Sequence, residues 1–519
     1  MNQTPLNHNP QNNPQSVIII GAGIGGLTTA ALLAHRGYRV KVYDQAIVPG
    51  GCASTFQRKG FIFDVGATQV AGLEPGGIHH RIFSELGIDI PQATPCDPAC
   101  AIFLPGENEP INVWRNPEKW RIERQKQFPG SEPFWQFLSL LFTVSWRFQG
   151  RDPVLPPRNL WDLWQLVQAL RPDTLITVPF TLMTVYDALK LFKLEQNLRL
   201  KTFLDLQLKL YSQVDTTETA LLYAATALGV SQEPQGLYHL QGSMQVLSDR
   251  LVEALERDGG KLFMRHTVEK IYVENGQVKG IQIRNQKNGE VWTENADHIV
   301  ANVTVQDLVK LVNSQDFSAQ TLHFFSYKYR VDKLPSPSGA FVVYLGVAQS
   351  AIPENCPPHL QFLYDYNGEI GENNSLFVSV SHQGDGRAPE GMATITASSF
   401  TDTKKWSNCQ DYEALKEEYT KHAIVCLSKY FKLTPETIIY QEAATPRTFA
   451  RYTARDQGIV GGIGQRIPTF GPFGFANRTP IKNLWLVGDS THPGEGTAGV
   501  SYSALTVVRQ IQKETGFLR

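Results

Sequence analysis

The chain has 519 residues, of which 42% are hydrophobic and 19% are charged, and its formal net charge is −1. This length is more than one hydrophobic core usually supports, so the sequence predicts two or three lobes. The near-neutral charge argues against a nucleic-acid-binding protein, which usually carries a basic excess. The composition is that of a folded soluble protein without a nucleic-acid partner.

The chain starts with a polar segment, residues 1–16, that is rich in Asn, Gln and Pro. It lacks the charged head and apolar run of a signal peptide, so we expect a disordered tail and a cytoplasmic protein. Only Cys96 and Cys100 lie close together among the six cysteines, and no paired CxxC motif indicates a zinc site. His79-His80 predicts the start of a helix rather than a metal pair. We therefore expect reduced thiols and no metal centre.

The first structural unit is a strand, a tight turn, a helix and a second strand. The short apolar run Val17–Ile20 is typical of a buried parallel strand. Leu27–Arg36, rich in Ala and Leu, predicts a helix that ends at Gly37. Arg39–Tyr43 alternates as a second strand.

Gly21, Gly23 and Gly26 form a GxGxxG pattern within this unit. The first glycine permits a tight turn, the second lets the backbone approach a pyrophosphate, and the third allows close packing of helix on strand. The helix N-terminus favours the bound anion. Asp44 ends the second strand and can accept hydrogen bonds from a ribose, whereas it would repel a 2′-phosphate, which argues against NADP. NAD and FAD remain, and a glycine turn without any ligand is the alternative.

Two further glycine-rich segments favour FAD over NAD. Gly50-Gly51 follow the second strand, and Arg58 comes next, before the strand-like GFIFDVG. A second glycine turn there suits a longer cofactor that passes deeper into the protein. Near the end of the chain, LVGDSTHPGEGTAGV places Asp489 after Gly488 at the end of a strand. A backbone this bare can lie against a flat ring, and the carboxylate can bind a polyol such as ribityl.

The rest of the chain alternates between such units and insertions. Asn275-Gly276 predicts the turn of a β-hairpin, and His298–Val303 predicts another short strand. A charged helix is predicted near Tyr412–Tyr430, and a last helix from about Ser501. We expect an α/β protein with a Rossmann-like FAD-binding domain built from three segments and an α+β substrate domain built from the insertions. The FAD-binding domain would comprise residues 17–90, 241–305 and 479–519, and the substrate domain residues 91–240 and 306–478.

Two apolar stretches, Pro133–Trp146 and Thr174–Tyr186, are too short for the roughly 20 residues of a membrane span. They predict either a face that docks on a membrane or ordinary core and tunnel wall, and both readings stay open. The candidate side chains of the docking face are Trp135, Phe137, Leu138, Leu141, Phe142, Trp146, Trp161, Trp164 and Phe180.

The segments GAGIGGL…VYDQ…PGG, GFIFDVGA and NLWLVGDSTHPGEGTAGV together resemble the phytoene desaturase-like enzymes of the flavin amine oxidase superfamily. Within it, the chain resembles carotenoid desaturases and carotenoid cis–trans isomerases, over nearly all of its length after residue 16. The segments FDVGATQVAGLEPGGIHHRIF, CDPACAIFLPGE and FQGRDPVLPPRNLWDL are similar to the cyanobacterial C-3′,4′ carotenoid desaturases of myxoxanthophyll synthesis.

The resemblance implies a set of FAD-binding residues of the amine-oxidase and glutathione-reductase type. The pyrophosphate and adenosine would contact the GxGxxG glycines, Asp44 and the backbone of Val268, and Arg58 would lie on the pyrophosphate and isoalloxazine side. Asp489 would hold the ribityl chain, and Gly499 and Val500 would lie beneath the pyrimidine end of the flavin. The implied set is Gly21, Gly23, Gly26, Asp44, Gly50, Gly51, Arg58, Val268, Gly488, Asp489, Gly499 and Val500. Asp44 is a departure, since the superfamily more often has Glu there.

The resemblance implies an FAD-dependent carotenoid desaturase that acts at the C-3′,4′ bond on the surface of a membrane. The flavin would take a hydride from a CH2–CH2 unit beside the polyene, and a weak base would then remove a proton. Glu495, His492 and Arg451 are weak candidates for that base. A second glycine motif of the NAD-binding type is absent, so we expect a quinone or oxygen as the electron acceptor. The alternatives are a carotenoid isomerase that uses reduced FAD and a non-catalytic protein that binds isoprenoids.

Overall fold

A computed structural model describes residues 14–312, 322–336 and 338–516. The strands are β1 (Ser16–Ile20), β2 (Arg39–Asp44), β3 (Thr55–Arg58), β4 (Phe61–Asp64), β5 (Ala93–Pro95), β6 (Cys100–Phe103), β7 (Ile111–Val113), β8 (Tyr238–Leu240), β9 (Lys261–Met264), β10 (His266–Glu274), β11 (Gln277–Asn285), β12 (Val291–Asn295), β13 (His298–Ala301), β14 (Ser338–Ala348), β15 (His359–Leu363), β16 (Ser375–Val380), β17 (Met392–Asp402), β18 (Ile438–Ala444) and β19 (Leu484–Leu486).

The helices are α1 (Ile24–His35), α2 (Ile78–Leu86), α3 (Pro117–Gln127), α4 (Glu132–Gln149), α5 (Leu160–Ala169), α6 (Pro172–Leu175), α7 (Val185–Leu191), α8 (Leu198–Ser212), α9 (Leu221–Gly229), α10 (Gln245–Arg257), α11 (Val305–Leu311), α12 (Leu322–Asp332), α13 (Thr403–Ser407), α14 (Tyr412–Leu427), α15 (Pro446–Thr453) and α16 (Thr497–Thr515).

A parallel sheet of five strands, in the order β19-β13-β1-β2-β9, forms the nucleotide-binding part of the molecule. Its strands are nearly continuous apolar runs because both faces of the sheet are covered by other parts of the protein. Val17 and Ile19 of β1 face the core around α1, α10 and α16, whereas Ile18 and Ile20 face a second core with β10, β11 and β13. All three segments predicted for the FAD-binding domain contribute strands to this sheet. The domain boundaries themselves remain a prediction.

The insertions form a mixed sheet of seven strands, β18-β14-β17-β16-β15-β6-β7, with helices α3 to α9 packed beside it. Residues 91–240 are largely helical, as the sequence predicts, although β5 and β8 pair with each other at the two ends of that insertion. Leu240 of β8 is buried in the core around α1 rather than in the helical core.

Most local predictions agree with the elements in the structure. Glu274 pairs with Gln277 across the Asn275-Gly276 turn, and both turn residues have positive φ, so the predicted hairpin is confirmed. α16 begins at Thr497, earlier than the predicted start near Ser501, because Gly499 lies inside its first turn without ending the helix. His79 lies in the first turn of α2, where its ring nitrogens contact Ala71 O and Ser501 Oγ. Of the predicted disordered tail, residues 1–13 lie outside the described residues, and Ser16 belongs to β1.

Candidate cofactor and substrate site

The glycine turn between β1 and α1 forms a bare helix N-terminus. Gly23 is the N-cap of α1, no side chain caps it, and the first turn contains no acidic residue. A Cβ on Gly26 would lie 2.1 Å from the carbonyl oxygen of Gly21, so the third glycine is required by packing. The N–H groups of this first turn are therefore available to an anion.

Asn302 is a residue of the turn that the sequence analysis missed. Its backbone N–H donates to Ile20 O over 2.7 Å, at the end of the strand next to β1. A Cβ on Gly21 would lie 2.6 Å from Asn302 O, and one on Gly23 would lie 2.7 Å from Asn302 Oδ1. The glycines thus leave room both for a ligand and for Asn302. Its place near the end of the predicted strand His298–Val303 is a signal that could have identified it, since neighbouring parallel strands end at the same edge.

Asp44 lies at the end of β2 and binds the turn directly. Its Oδ2 accepts a hydrogen bond from Ala22 N and its Oδ1 accepts one from Ala46 N, both over 2.6 Å. Burial raises the pKa of the carboxyl group, while the two backbone donors lower it. Each carboxylate oxygen can accept a further hydrogen bond. The shorter side chain of Asp is therefore sufficient to fix the turn and still present acceptors to a ribose.

Asp489 follows the strand β19 after Val487 and Gly488, and it forms an ion pair with Arg455 at 2.7 Å. The guanidinium also donates to the carbonyls of Ile459 and Gly461, over 2.8 and 2.5 Å. Burial lowers the pKa of Arg455, but the Asp489 carboxylate more than offsets this and holds it above the ordinary value. Arg455 is the second residue whose role the sequence did not predict.

A second uncapped helix N-terminus lies at this end of the site. Gly496 is the N-cap of α16, without a side-chain hydrogen bond and without an acidic residue in the first turn. A Cβ on Gly499 would lie 2.6 Å from Gly494 O. The start of α16 thus presents free N–H groups to an electron-rich ring edge, as the start of α1 does to a phosphate.

One cavity of about 1220 Å³ connects both helix N-termini. All of the predicted cofactor residues except Gly26 and Arg58 line it. Gly26 lies behind the turn, in the packing role expected of it. The structure corrects the prediction for Arg58, which does not line the cavity. It lies on β3 with its Nε 3.6 Å from Glu442 Oε2, and half of its side chain is exposed. Gln57 and Arg58, the last two residues of β3, are both exposed.

Beyond the two helix N-termini the cavity becomes apolar and aromatic. Its walls come mainly from the two insertions. The apolar and aromatic residues that line it include Trp146, Phe148, Leu155, Leu166, Leu170, Val178, Leu182, Leu210, Tyr211, Leu222, Tyr223, Val342, Ile370, Phe377, Phe400, Phe449, Phe470 and Phe473. A long hydrocarbon ligand fits such walls, because it gains by leaving water and forms no hydrogen bonds.

The three candidate bases differ in their positions. Glu495 and His492 line the cavity, whereas Arg451 does not. Arg451 lies in α15, where its guanidinium is 5.5 Å from the ring of Tyr452 and its carbonyl accepts from Gln45 Nε2. Burial lowers the pKa of His492 to about 4 and raises the pKa of Glu495 to about 8. Among the three, only Glu495 therefore lies in the cavity and titrates near neutral pH.

Comparisons with known proteins agree with this geometry. Residues 19–86 match the NAD(P)-binding Rossmann-like domain. The chain is 27% identical over 513 residues to the chloroplastic prolycopene isomerase 2 of an Oncidium hybrid cultivar, covering 96% of this chain and 84% of that protein. It is 25% identical over 519 residues to the neurosporene-forming phytoene desaturase of Cereibacter sphaeroides, covering 95% of this chain and 94% of that protein. The homologues of this chain are carotenoid desaturases and isomerases.

The carotenoid desaturase/isomerase resemblance deduced from the motifs is thereby confirmed. The fold is similar to that of cyclohexylamine oxidase from Brevibacterium oxydans, with a TM-score of 0.59, 16% identity and coverage of 96% of this chain and 100% of that chain. The predicted α/β class of the amine-oxidase type is confirmed. The prediction of an oxidoreductase is confirmed by the desaturase relatives.

Desaturases and isomerases are matched at nearly the same identity, so identity does not separate the two reactions. Within the part of the chain that the structure describes, no helix is long and apolar enough to cross a bilayer. In the same ranges, no cluster of three metal-ligating side chains is present. The polar groups of the site fit a dinucleotide cofactor. The uncapped N-terminus of α1 fits its pyrophosphate and that of α16 an electron-rich ring edge, and the carboxylates of Asp44 and Asp489 fit hydroxyl groups on either side of the pyrophosphate.

Proposed function

We propose that this chain is an FAD-dependent carotenoid C-3′,4′ desaturase that removes two hydrogens from a CH2–CH2 unit beside a polyene. The observation that carries the proposal is the single cavity, which joins a dinucleotide-binding turn to a long apolar chamber. FAD would extend from Gly21 and Asp44 to Asp489 and the start of α16. When bound, the flavin supplies a hydride acceptor, which carbon–hydrogen bonds of this kind require.

The side chains of the protein have three tasks in this reaction. The apolar walls bind the polyene and exclude water, which protects charge that develops on it. Phe470, Tyr223 and His492 line the cavity close to one another. The ring centroid of Phe470 lies 5.5 Å from that of Tyr223 and 5.9 Å from that of His492, and the three rings would orient the polyene. Burial keeps His492 neutral, since its pKa is lowered to about 4. It would therefore donate or accept a hydrogen bond without adding a positive charge beside a cationic polyene.

The substrate would enter from a membrane surface at α5. Leu160, Leu163, Trp164 and Val167 follow a helical spacing of one face and are exposed, Leu160 by 85% and Trp164 by 56%. Leu166 of the same helix lines the cavity, as does Leu182, which is itself 66% exposed. An exposed apolar face beside the mouth of an apolar cavity matches a lipid surface that holds an apolar substrate.

The choice of the C-3′,4′ bond rests on the resemblance of three segments, and two of them contribute to the cavity. Gly66, Ala67 and Thr68 come from the first, and Phe148 and Leu155 come from the third. These residues would place the end of the polyene. A quinone or oxygen would reoxidise the flavin, because the sequence contains no second nicotinamide-type glycine motif.

A carotenoid cis–trans isomerase that uses reduced FAD is the second candidate. The observation that favours it is the 27% identity to prolycopene isomerase 2 over 96% of the chain. The same cavity serves both reactions, since each needs a flavin beside a polyene.

Expression in a carotenoid-producing host, followed by pigment analysis, tests the proposal. A desaturase lengthens the chromophore, so the product should absorb at longer wavelength and weigh two hydrogens less than the substrate. A product of unchanged mass with a changed cis–trans pattern would favour the isomerase. A colourless purified protein that cannot be reconstituted with FAD would exclude both enzymes and favour a non-catalytic isoprenoid-binding protein.

A further inference from the structure

At the wall of the cavity, one oxygen of the Glu495 carboxyl group has hydrogen-bond partners and the other has none. Its Oε2 accepts hydrogen bonds from Gln213 Nε2 over 2.8 Å and from Gly462 N over 3.3 Å. Its Oε1 is buried and has no hydrogen-bond partner among the residues that the structure describes. A buried polar atom without a partner is costly, and this one lies at a cavity wall that a substrate would contact.

A second, polar pocket of about 280 Å³ is lined by Gln213, which also lines the cavity, and by Gly462. Lys209, Asp215 and Glu218 line it together with these two residues. Asp215 and Glu218 belong to a turn at the surface, so this pocket has access to water. Gln213 thus lies between the apolar cavity and the polar pocket, and Gly462 lines the polar pocket. A carboxyl group in such a wall can exchange a proton with a ligand in the cavity and then regain its starting protonation state through water in the polar pocket.

We propose that Glu495 exchanges a proton with the polyene and that Gln213 positions it. This inference rests on the proposed function and adds the identity of the acid–base group. In the desaturation, bound oxidised flavin would supply the hydride acceptor, and loss of that hydride would leave the substrate as an allylic cation. The Glu495 carboxylate then takes a proton from the neighbouring carbon. That C–H bond breaks, its electron pair becomes the new π bond, and an O–H bond forms at Oε1.

Several charged or titratable groups face Glu495 and set its protonation. Burial raises the pKa to about 8, Asp489 raises it as well, and Gln213, the N–H of Gly462 and Arg455 lower it. Tyr223 and His492 also line the cavity near it, and burial keeps both neutral, since it raises the pKa of Tyr223 and lowers that of His492. The base form therefore gains population as the pH rises towards about 8.

The test compares Glu495→Gln with wild type in the flavin-loaded enzyme on vesicles that contain the carotenoid. Wild-type kcat should fall about tenfold per pH unit below about 8. Glu495→Gln should bind the same amount of flavin, lose about 100-fold or more in kcat, and show no such pH dependence. Glu495→Asp should keep part of the activity. Glu74→Gln is the matched control, because Glu74 is also buried with one unpartnered oxygen but does not line the cavity.

Gln213→Asn tests the positioning role. Gln213 has φ +67°, which Asn tolerates, and the shorter amide cannot make the 2.8 Å bond to Glu495. Because that bond lowers the pKa of Glu495, its loss should move the midpoint of the pH profile upwards. An unchanged midpoint would overturn the role of Gln213. Full activity or an unchanged pH profile in Glu495→Gln would overturn the role of Glu495.

Thermal unfolding gives a readout that does not need turnover. The pKa of Glu495 is about 8 in the folded protein and near 4.5 when it is unfolded, so the folded state favours the neutral acid. The stability that this group contributes is complete below pH 4.5 and is lost as the pH rises to about 8. Glu495→Gln should therefore melt progressively higher than wild type as the pH increases from 5 to 8. An equal difference at all pH values would overturn the proposal, whereas a wild type that does not act on carotenoids would overturn only the proposed function.

Discussion

Asp489 and Arg455 form an ion pair that is mostly shielded from water, with side-chain exposures of 13% and 18%. Each of these buried charges is stabilised by the other, because the protein does not replace the hydration energy that each loses on burial. The proposed role of Asp489 adds a ligand to this pair. Asp489 would bind the ribityl chain of FAD while Arg455 keeps it ionised and in place.

Arg455→Met should destabilise the protein by about 3–5 kcal/mol, because it leaves the Asp489 carboxylate without a partner. The double variant Arg455→Met/Asp489→Asn should recover most of that stability, since no buried charge remains. Its flavin content should nevertheless stay low. Thermal unfolding and the flavin absorbance per polypeptide measure the two effects separately.

Arg284→Met is the control, since Arg284 pairs with Glu269 at the surface and should contribute less than about 1 kcal/mol. Wild-type flavin content in the double variant would show that Asp489 does not hold the cofactor.

Residue spacing alone predicted the glycines, Asp44 and Asp489, because each follows a strand that ends at one edge of a parallel sheet. Asn302 also follows such a strand and could have been found in the same way, whereas the contacts of Arg455 with Asp489 and Gly461 are not predicted by any local pattern. The prediction for Arg58 came from resemblance rather than from geometry. On β3 its side chain points away from the cavity and pairs with Glu442.

At the scale of helices, α4 and α5 carry similar apolar patterns but have opposite environments. Trp135, Leu138 and Leu141 of α4 are buried, and Trp135 packs on Trp120 and Phe203. For these side chains, the core reading of the sequence pattern agrees with the structure. The apolar face of α5 is exposed instead. Periodicity identifies an apolar face but not what covers it, so the sequence could not distinguish the two helices.

The double variant Trp164→Ser/Leu182→Ser should lose most of its binding to lipid vesicles, because it removes two exposed apolar side chains beside the mouth of the cavity. Vesicle flotation of the purified protein measures the bound fraction. The activity on a carotenoid dissolved in detergent should fall less than the activity on vesicles, since docking is then not required.

Ile122→Ser/Val425→Ser is the matched control, because Ile122 and Val425 are exposed to a similar extent on α3 and α14. Equal losses of vesicle binding in the two double variants would contradict a docking face at α5.

At the scale of the whole molecule, Arg387 joins the parts of the chain. Its guanidinium donates to Asp64 Oδ2 over 3.0 Å and to Asp385 Oδ2 over 3.1 Å, and it is 3% exposed. The other oxygen of Asp64 accepts from Met244 N. Asp64, Met244 and Arg387 come from three separate segments of the sequence. This buried cluster therefore fixes the loop between β16 and β17 to the end of β4 and to the start of α10.

Arg387→Met should cost about 3–5 kcal/mol in the free energy of unfolding, because two buried carboxylates lose their shared cation. Denaturant unfolding measures this cost, and Arg284→Met serves again as the surface control. A cost below about 1 kcal/mol would show that the cluster does not join the segments.

The parallel sheet also sets an order of events during synthesis. β1 and the glycine turn leave the ribosome first, but β19 and α16, which packs on α1, come at the far end of the chain. At ordinary translation rates this delay is on the order of a minute. A nascent chain therefore displays half of a nucleotide site for most of its synthesis. The proposed FAD site would therefore be complete only after α16 has packed on α1.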